Sequence, residues 1–142
     1  MLTSPLIEIA KDICLRAHEG QVDKSGVPYY KHPFHLAEQM TDEDTTIVAL
    51  LHDVVEDTEY TLEDLAAMGF SERVLAAIRL MTHDEDVPYM DYVAIIRENP
   101  IARAVKLADL AHNSDLTRLD TVDDKAKARA EKYAQAIALL TE

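Results

Sequence analysis

Apolar residues along this chain recur three and four positions apart, and no stretch competes with the two-residue alternation of a strand, so the pattern predicts helices throughout. Ser4-Pro5 opens the first, running to about His18 with Leu6, Ile9, Ala10, Ile13, Cys14 and Ala17 on its buried face. Residues 20–28 hold two of the three glycines and read as a loop. Pro33 starts a short second helix to Met40, and Asp44 or Thr45 starts a third that contains the apolar run Thr46-Ile-Val-Ala-Leu-Leu51. Thr61-Leu-Glu-Asp64 has the capping-box form, with Gly69 closing that helix and Ser71 opening the next. Val74, Leu75, Ile78 and Met81 keep the spacing of a core-facing stripe until the acidic segment 82–87 interrupts it. Pro88 and Pro100 each suit a first helical turn. A final helix from about Val122 to Leu140 turns Ala130, Tyr133, Ile137 and Leu140 inward as a structural lid.

The fold class expected is therefore all-α. With no internal repeat, low-complexity tract or linker, residues 1–142 are expected to form a single domain, a length sufficient for one proper core. No stretch is apolar for long enough to span a bilayer. The first residues lack the basic-then-apolar layout of a secretory signal, and the lone Cys14 excludes an internal disulfide framework, so a reducing cytoplasm is expected. The formal net charge of −13 argues against duplex DNA or an anionic membrane as partner, since either needs a basic surface. An anionic small molecule is compatible with that charge where local cations override the average, and Lys24, Lys31, Lys106 and Arg118 stand in the relevant segments. Homo-oligomerisation leaves no readable mark in the sequence.

The chemistry concentrates at the end of the third helix. His52-Asp53 is followed by Val-Val-Glu56-Asp57, which stacks His52 over Glu56 and Asp53 over Asp57 and leaves adjacent residues about 100° apart. A helix burying Ile47, Leu50, Leu51 and Val54 carries such a polar edge either because it ends in solvent or because a bound cation compensates the charges. Two further segments bear on that choice: His32 before Pro33, and Asp109 on the apolar run Val105-Lys-Leu-Ala-Asp109. His32, His52, Asp53 and Asp109 form a mixed imidazole and carboxylate set that leaves positions open for water. It suits Mn²⁺ or Fe²⁺ better than an all-oxygen Mg²⁺ cage, with zinc less favoured.

Read in order, His18-Glu-Gly-Gln21, Lys24-Ser-Gly26, Pro28-Tyr29, His32-Pro33, Leu50-Leu-His-Asp-Val-Val-Glu-Asp-Thr58, Thr61-Leu62 and Val105-Lys-Leu-Ala-Asp109 with His112-Asn113 resemble the HD superfamily. More narrowly, the chain is similar to the hydrolase domain of RelA/SpoT-type alarmone enzymes and their stand-alone small relatives, over residues 10–116. The resemblance implies a single HD-domain helical bundle that binds Mn²⁺ and removes the 3′-pyrophosphate from guanosine tetra- or pentaphosphate; no synthetase domain is expected, since 142 residues leave no room for one. It places metal ligands on His32, His52, Asp53 and Asp109, the same four that side-chain chemistry nominates. It also implies Glu56 and Asp57 as the acidic pair acting on water and leaving group, Asn113 close to the nucleotide, and Lys24 and Ser25 in a base-binding loop. Beside Lys24, Lys31 and Lys106 are candidates for screening the phosphates, with simple solvation as the alternative for both.

Two departures bear on the substrate. Asp23 stands where the family usually has a basic residue, and Ser114-Asp115-Leu116 replaces a run with an Arg-Thr pair. Each acid near a phosphate weakens binding by about a kcal/mol or more in partly desolvated surroundings. A phosphohydrolase for a different nucleotide is therefore one alternative, and a non-catalytic nucleotide sensor another. Among the remaining histidines, His35, three after His32, reads as surface or as a support behind the ligands more than as a substitute ligand, His18 and His112 as capping or packing, and His83 as part of an exposed acidic loop; Tyr29 and Tyr89 wall a pocket or simply pack.

Overall fold

The computed structural model describes residues 1–115 and 122–142. Among them run eight helices: α1 (Pro5–Ala17), α2 (Lys31–Glu38), α3 (Glu43–Asp57), α4 (Leu62–Ala67), α5 (Glu72–Met81), α6 (Tyr89–Arg97), α7 (Pro100–Asn113) and α8 (Asp124–Thr141). The described residues contain no strand, only an isolated bridge between Val22 and Pro28. The all-α expectation holds.

Most helix starts carry the caps their sequence offers. Ser4 accepts from the Ile7 amide, Ser71 from Val74 and Asn99 from Ile101 and Ala102, which satisfies amides that have no partner inside the helix. Thr61 and Asp64 close a reciprocal capping box. Gly69 follows α4 at φ 99°, the left-handed conformation that ends helices.

Helix α3 is the centre. Its buried positions run from Thr45 to Leu51 without a gap and continue at His52 and Val54, so it has no solvent face over its middle turns. Helices α1, α2, α5 and α7 pack around it, α6 and α8 pack on each other and on α7, and α4 rests on α5. Helix α3 starts at Glu43 behind the cap Asp42, not at Asp44 or Thr45: the Asp42 carboxylate accepts from both the amide and the hydroxyl of Thr45 at 2.8 Å, and the Asp42 carbonyl accepts from Thr46 Oγ1 at 2.6 Å. Two β-branched threonines are thereby held in a helix they would not otherwise favour.

Other boundaries also shift. Helix α2 begins at Lys31, so His32 lies inside its first turn instead of before it, and Pro33 is tolerated there because those amides have no intrahelical partner. Pro88 is the cap of α6 and not its first helical residue. Ile9 is 41 % exposed, because α1 packs on one side only. On α8 the inward seam is Ala126, Ala136 and Leu140, with Ala130, Tyr133 and Ile137 half-buried. Cys14 is fully buried, and burial pushes its thiol up to about 12, consistent with an inert core residue.

Leu51 is completely buried in the central helix. Leu51→Ala is expected to cost about 2–5 kcal/mol of stability through lost burial and the cavity left behind, read as a lower midpoint in urea unfolding.

Candidate metal centre and adjoining cavity

Three elements meet at the C-terminal half of α3. His52 sits there with Nδ1 2.8 Å from the carbonyl oxygen of Ala49 in the same helix. A carbonyl only accepts, so Nδ1 carries a hydrogen, and in the neutral ring Nε2 presents the lone pair. That Nε2 is buried and has no hydrogen-bond partner, although Asp53 Oδ2 is 3.2 Å away and Asp109 Oδ1 is 3.8 Å away. A buried lone pair turned toward two carboxylates is an unfavourable arrangement on its own. A cation between them resolves it.

His32, from the first turn of α2, contributes Nε2 at 2.8 Å from Asp109 Oδ1. Asp109 comes from α7 and also accepts from Lys106 Nζ at 3.1 Å and Asn113 Nδ2 at 3.2 Å. His32, His52 and Asp109 each offer one ligand atom within 4.8 Å of the others, and all three residues are buried. Asp53 stands just outside this triangle. Its Oδ2 accepts a 2.6 Å hydrogen bond from Tyr29 in the loop before α2. The chain thus provides two imidazoles and a carboxylate in one cluster with a second carboxylate alongside, a donor set that fits a divalent cation.

The titration behaviour has the same origin. Burial pulls His52 down, but Asp53 and Asp109 outweigh it and hold the imidazole well above its ordinary value, a proton standing in for the cation. Burial pushes Asp109 up, yet the hydrogen bond from His32, the nearby His52 imidazole and the Lys106 charge hold it well below the usual carboxylate range. Burial likewise raises Asp53, and His52 more than reverses it. Lys106 is partly buried against the faces of Tyr92 and Tyr89, at 5.4 and 5.9 Å, and Asp109 keeps it charged despite that burial.

Glu56 and Asp57 lie one turn further along, with exposed side chains at the rim. Both carboxyls are pushed up, first by partial burial and then by the charge of Asp53. Two acids in the last turn also face the negative end of the helix dipole. Nothing in the packing favours that placement.

A cavity of about 360 Å³ adjoins the cluster, the size of a small-ligand site. Tyr29 and Asn113 belong to its wall and also hold Asp53 and Asp109, so the cavity and the cluster share a boundary. Lys24 and Ser25 line it as the sequence leads one to expect; Lys31 is not among the lining residues. Arg129 and Tyr133 line it as well, which pattern analysis missed by treating α8 as a structural lid. The four-residue spacing of Arg129 and Tyr133 on one helix face was the available signal. Asp23 and Asp115 are on the same wall, but Asp23 Oδ1 also accepts from the Ser25 and Val27 amides at 2.9 and 3.0 Å, which shapes the loop. Leu116 and Arg118 lie outside the described residues.

The other histidines are placed by packing. His18 is buried, bonds Gln21 through Nδ1 at 3.0 Å and lies against Tyr29. His83 bonds the Val87 carbonyl at 2.8 Å and stacks on Tyr92. His35 is exposed. His112 has a partner that sequence reasoning did not identify, the Nδ1 of His32 at 2.7 Å.

An HD-domain family model matches residues 10–138. The chain belongs to the HD-domain family. Its relatives include the guanosine-3′,5′-bis(diphosphate) 3′-pyrophosphohydrolase MESH1 of Homo sapiens, 35% identical over 87% of this chain and 76% of that protein. A GTP pyrophosphokinase of Streptomyces coelicolor is 35% identical over 90% of the chain, which spans 17% of that protein. The bifunctional (p)ppGpp synthase/hydrolase SpoT of Escherichia coli is 33% identical over 68% of the chain and 16% of its own length. A solved structure described as a metazoan ortholog of SpoT that hydrolyses ppGpp superposes with a TM-score of 0.78 at 25% identity, covering 99% of this chain and 88% of that one. The resemblance read from the ordered motifs therefore holds at the level of family and fold.

In this HD-domain chain the raised carboxyl of Glu56 carries a sign for stability. A carboxyl raised on folding stabilises at low pH and loses that contribution as pH rises through its folded value. Metal-free Glu56→Gln is accordingly expected to be more stable than the parent chain at neutral pH, with the difference closing below the ordinary glutamate value of 4.5. Thermal unfolding across pH in the presence of a chelator measures it.

Proposed function

We propose that this chain is a Mn²⁺-dependent hydrolase of guanosine tetra- or pentaphosphate that releases the 3′-pyrophosphate, with His32, His52, Asp53 and Asp109 as the metal-holding residues. The observation that carries the reading is His52 Nε2, buried without a hydrogen-bond partner while Nδ1 is engaged by Ala49, and directed at Asp53 and Asp109. Relatives named as 3′-pyrophosphohydrolases and the fold match to a ppGpp-hydrolysing structure support the substrate class. Fe²⁺ and Zn²⁺ are compatible with the same donor set, Fe²⁺ the more so.

The bound cation would supply Lewis acidity that makes a water nucleophilic near neutral pH. Glu56, whose raised carboxyl is suited to proton exchange, takes the proton from that water as its oxygen adds to the phosphorus attached to the 3′-oxygen. The bond between that phosphorus and the 3′-oxygen breaks, pyrophosphate leaves with the new oxygen, and the 3′-oxygen takes a proton that Asp57 delivers. Tyr29, Lys106 and Asn113 hold the carboxylates Asp53 and Asp109 in place. Lys24, Ser25, Asn113 and Arg129 line the cavity as contacts for the nucleotide, and Tyr133 offers a ring face. Lys31 serves only as a peripheral cation. These local cations offset a net charge of −13.

A second reading, another nucleotide as substrate, draws on Asp23 and Asp115 in the cavity wall. A sensor without turnover is disfavoured, because metal or nucleotide binding alone gives no use for the unfavourably placed Glu56 and Asp57. Among the described residues no helix is long and apolar enough to cross a membrane. With a buried free cysteine, a cytoplasmic setting with a small-molecule nucleotide as partner completes the proposal.

The test is Mn²⁺-dependent turnover of guanosine tetraphosphate beside a nucleotide panel, with metal content determined on the same sample. Pyrophosphate release is expected; turnover of a different nucleotide alone would transfer the assignment to the second reading. Asp53→Ala is expected to lose bound metal. Glu56→Gln is expected to keep it while kcat falls roughly 10²- to 10⁴-fold, the range for losing a general base. Arg129→Ala should raise KM with little change in kcat, the signature of a contact made equally in ground and transition states.

A further inference from the structure

We infer that His112 is a positioning residue for the metal centre, selecting the form of His32 that can bind a cation. The inference rests on the metal-binding reading of His32 given above. The two imidazoles on α3 and α2 are not held alike. His52 Nδ1 faces a backbone carbonyl, which can only accept, so its tautomer is fixed locally by its own helix. His32 Nδ1 instead faces His112 Nδ1 at 2.7 Å across 80 positions of sequence.

That distance is too short for stacked faces, and the ring planes lie only 9° apart with centroids at 4.9 Å. The contact is therefore edge to edge along the ring planes, the direction of the nitrogen lone pairs. Two nitrogens this close share one hydrogen, since two lone pairs repel and two N–H groups collide. His32 Nε2 donates to Asp109 Oδ1 at 2.8 Å; with the shared hydrogen kept on His32 Nδ1, a cation that displaces the Nε2 hydrogen meets a lone pair. With the shared hydrogen on His112 instead, Nδ1 holds the lone pair, and loss of the Nε2 hydrogen would leave an imidazolate, which keeps the site closed to a cation. His112 Nδ1 as acceptor thus sets His32 in the ligand form and aims its ring. His112 is itself steadied by His35, whose ring packs over it at 4.1 Å.

The test separates the nitrogen from the ring. Asn carries an acceptor the same number of bonds from the backbone as Nδ1, whereas Phe keeps a ring and removes the acceptor. Mn²⁺ titrated calorimetrically into the metal-free chain should bind His112→Phe roughly 10- to 100-fold more weakly than the parent, the usual effect of losing a partner behind a metal ligand. His112→Asn should recover most of that affinity. Parent-like affinity in His112→Phe overturns the inference, and so does equal weakening in both variants, which would assign His112 to packing. Should His112→Phe not fold, His112→Ala with and without free imidazole decides: restored Mn²⁺ affinity supports the role and unchanged affinity overturns it. A parent chain that binds no Mn²⁺ at all would instead sink the metal reading itself.

Discussion

Helix α3 is buried on every side through its middle and ends in His52, Asp53, Glu56 and Asp57, and the rest of the molecule reconciles those two demands. The apolar length fixes the helix rigidly among α1, α2, α5 and α7. That rigidity lets an imidazole nitrogen remain buried and unpartnered at its end, a condition a mobile segment would relax by turning the ring to water. The geometry for holding a cation follows from the hydrophobic core as much as from the ligands.

Around that end, each acid or imidazole is oriented by a neighbouring group, Asp109 and His52 from their own helices and Asp53 and His32 from distant parts of the chain. Tyr29 of the loop bonds Asp53, Lys106 and Asn113 bond Asp109 from within α7, Ala49 fixes His52, and His112 meets His32. Such outer partners set which atom faces the centre and how tightly it is held. Lys106 is partly buried, with a carboxylate on one side and two tyrosine faces on the other.

The electrostatics run against the bulk charge. A chain of net −13 repels anions at long range, yet Lys24 and Arg129 line the cavity and Lys106 sits behind Asp109. A nucleotide would therefore be selected by short-range contacts more than by steering. Asp23 is less of an obstacle than its charge alone implies, because its carboxylate is engaged by two loop amides.

The sequence by itself determined the helices and their ends to within a few residues, because caps, prolines and the glycine after α4 act over a short stretch of backbone. It also determined the set His32, His52, Asp53 and Asp109 as chemically matched groups, because the string around His52 places ionisable residues where an apolar helix has no other use for them. Only the tertiary structure decided which of these converge, gathering His32, His52 and Asp109 in one cluster and leaving Asp53 at its edge. It gave His112 its partner, brought Arg129 and Tyr133 to the cavity, left Lys31 off its wall and exposed Ile9. Those outcomes depend on how whole helices pack and on contacts made across long stretches of chain. Local periodicity carries no record of either.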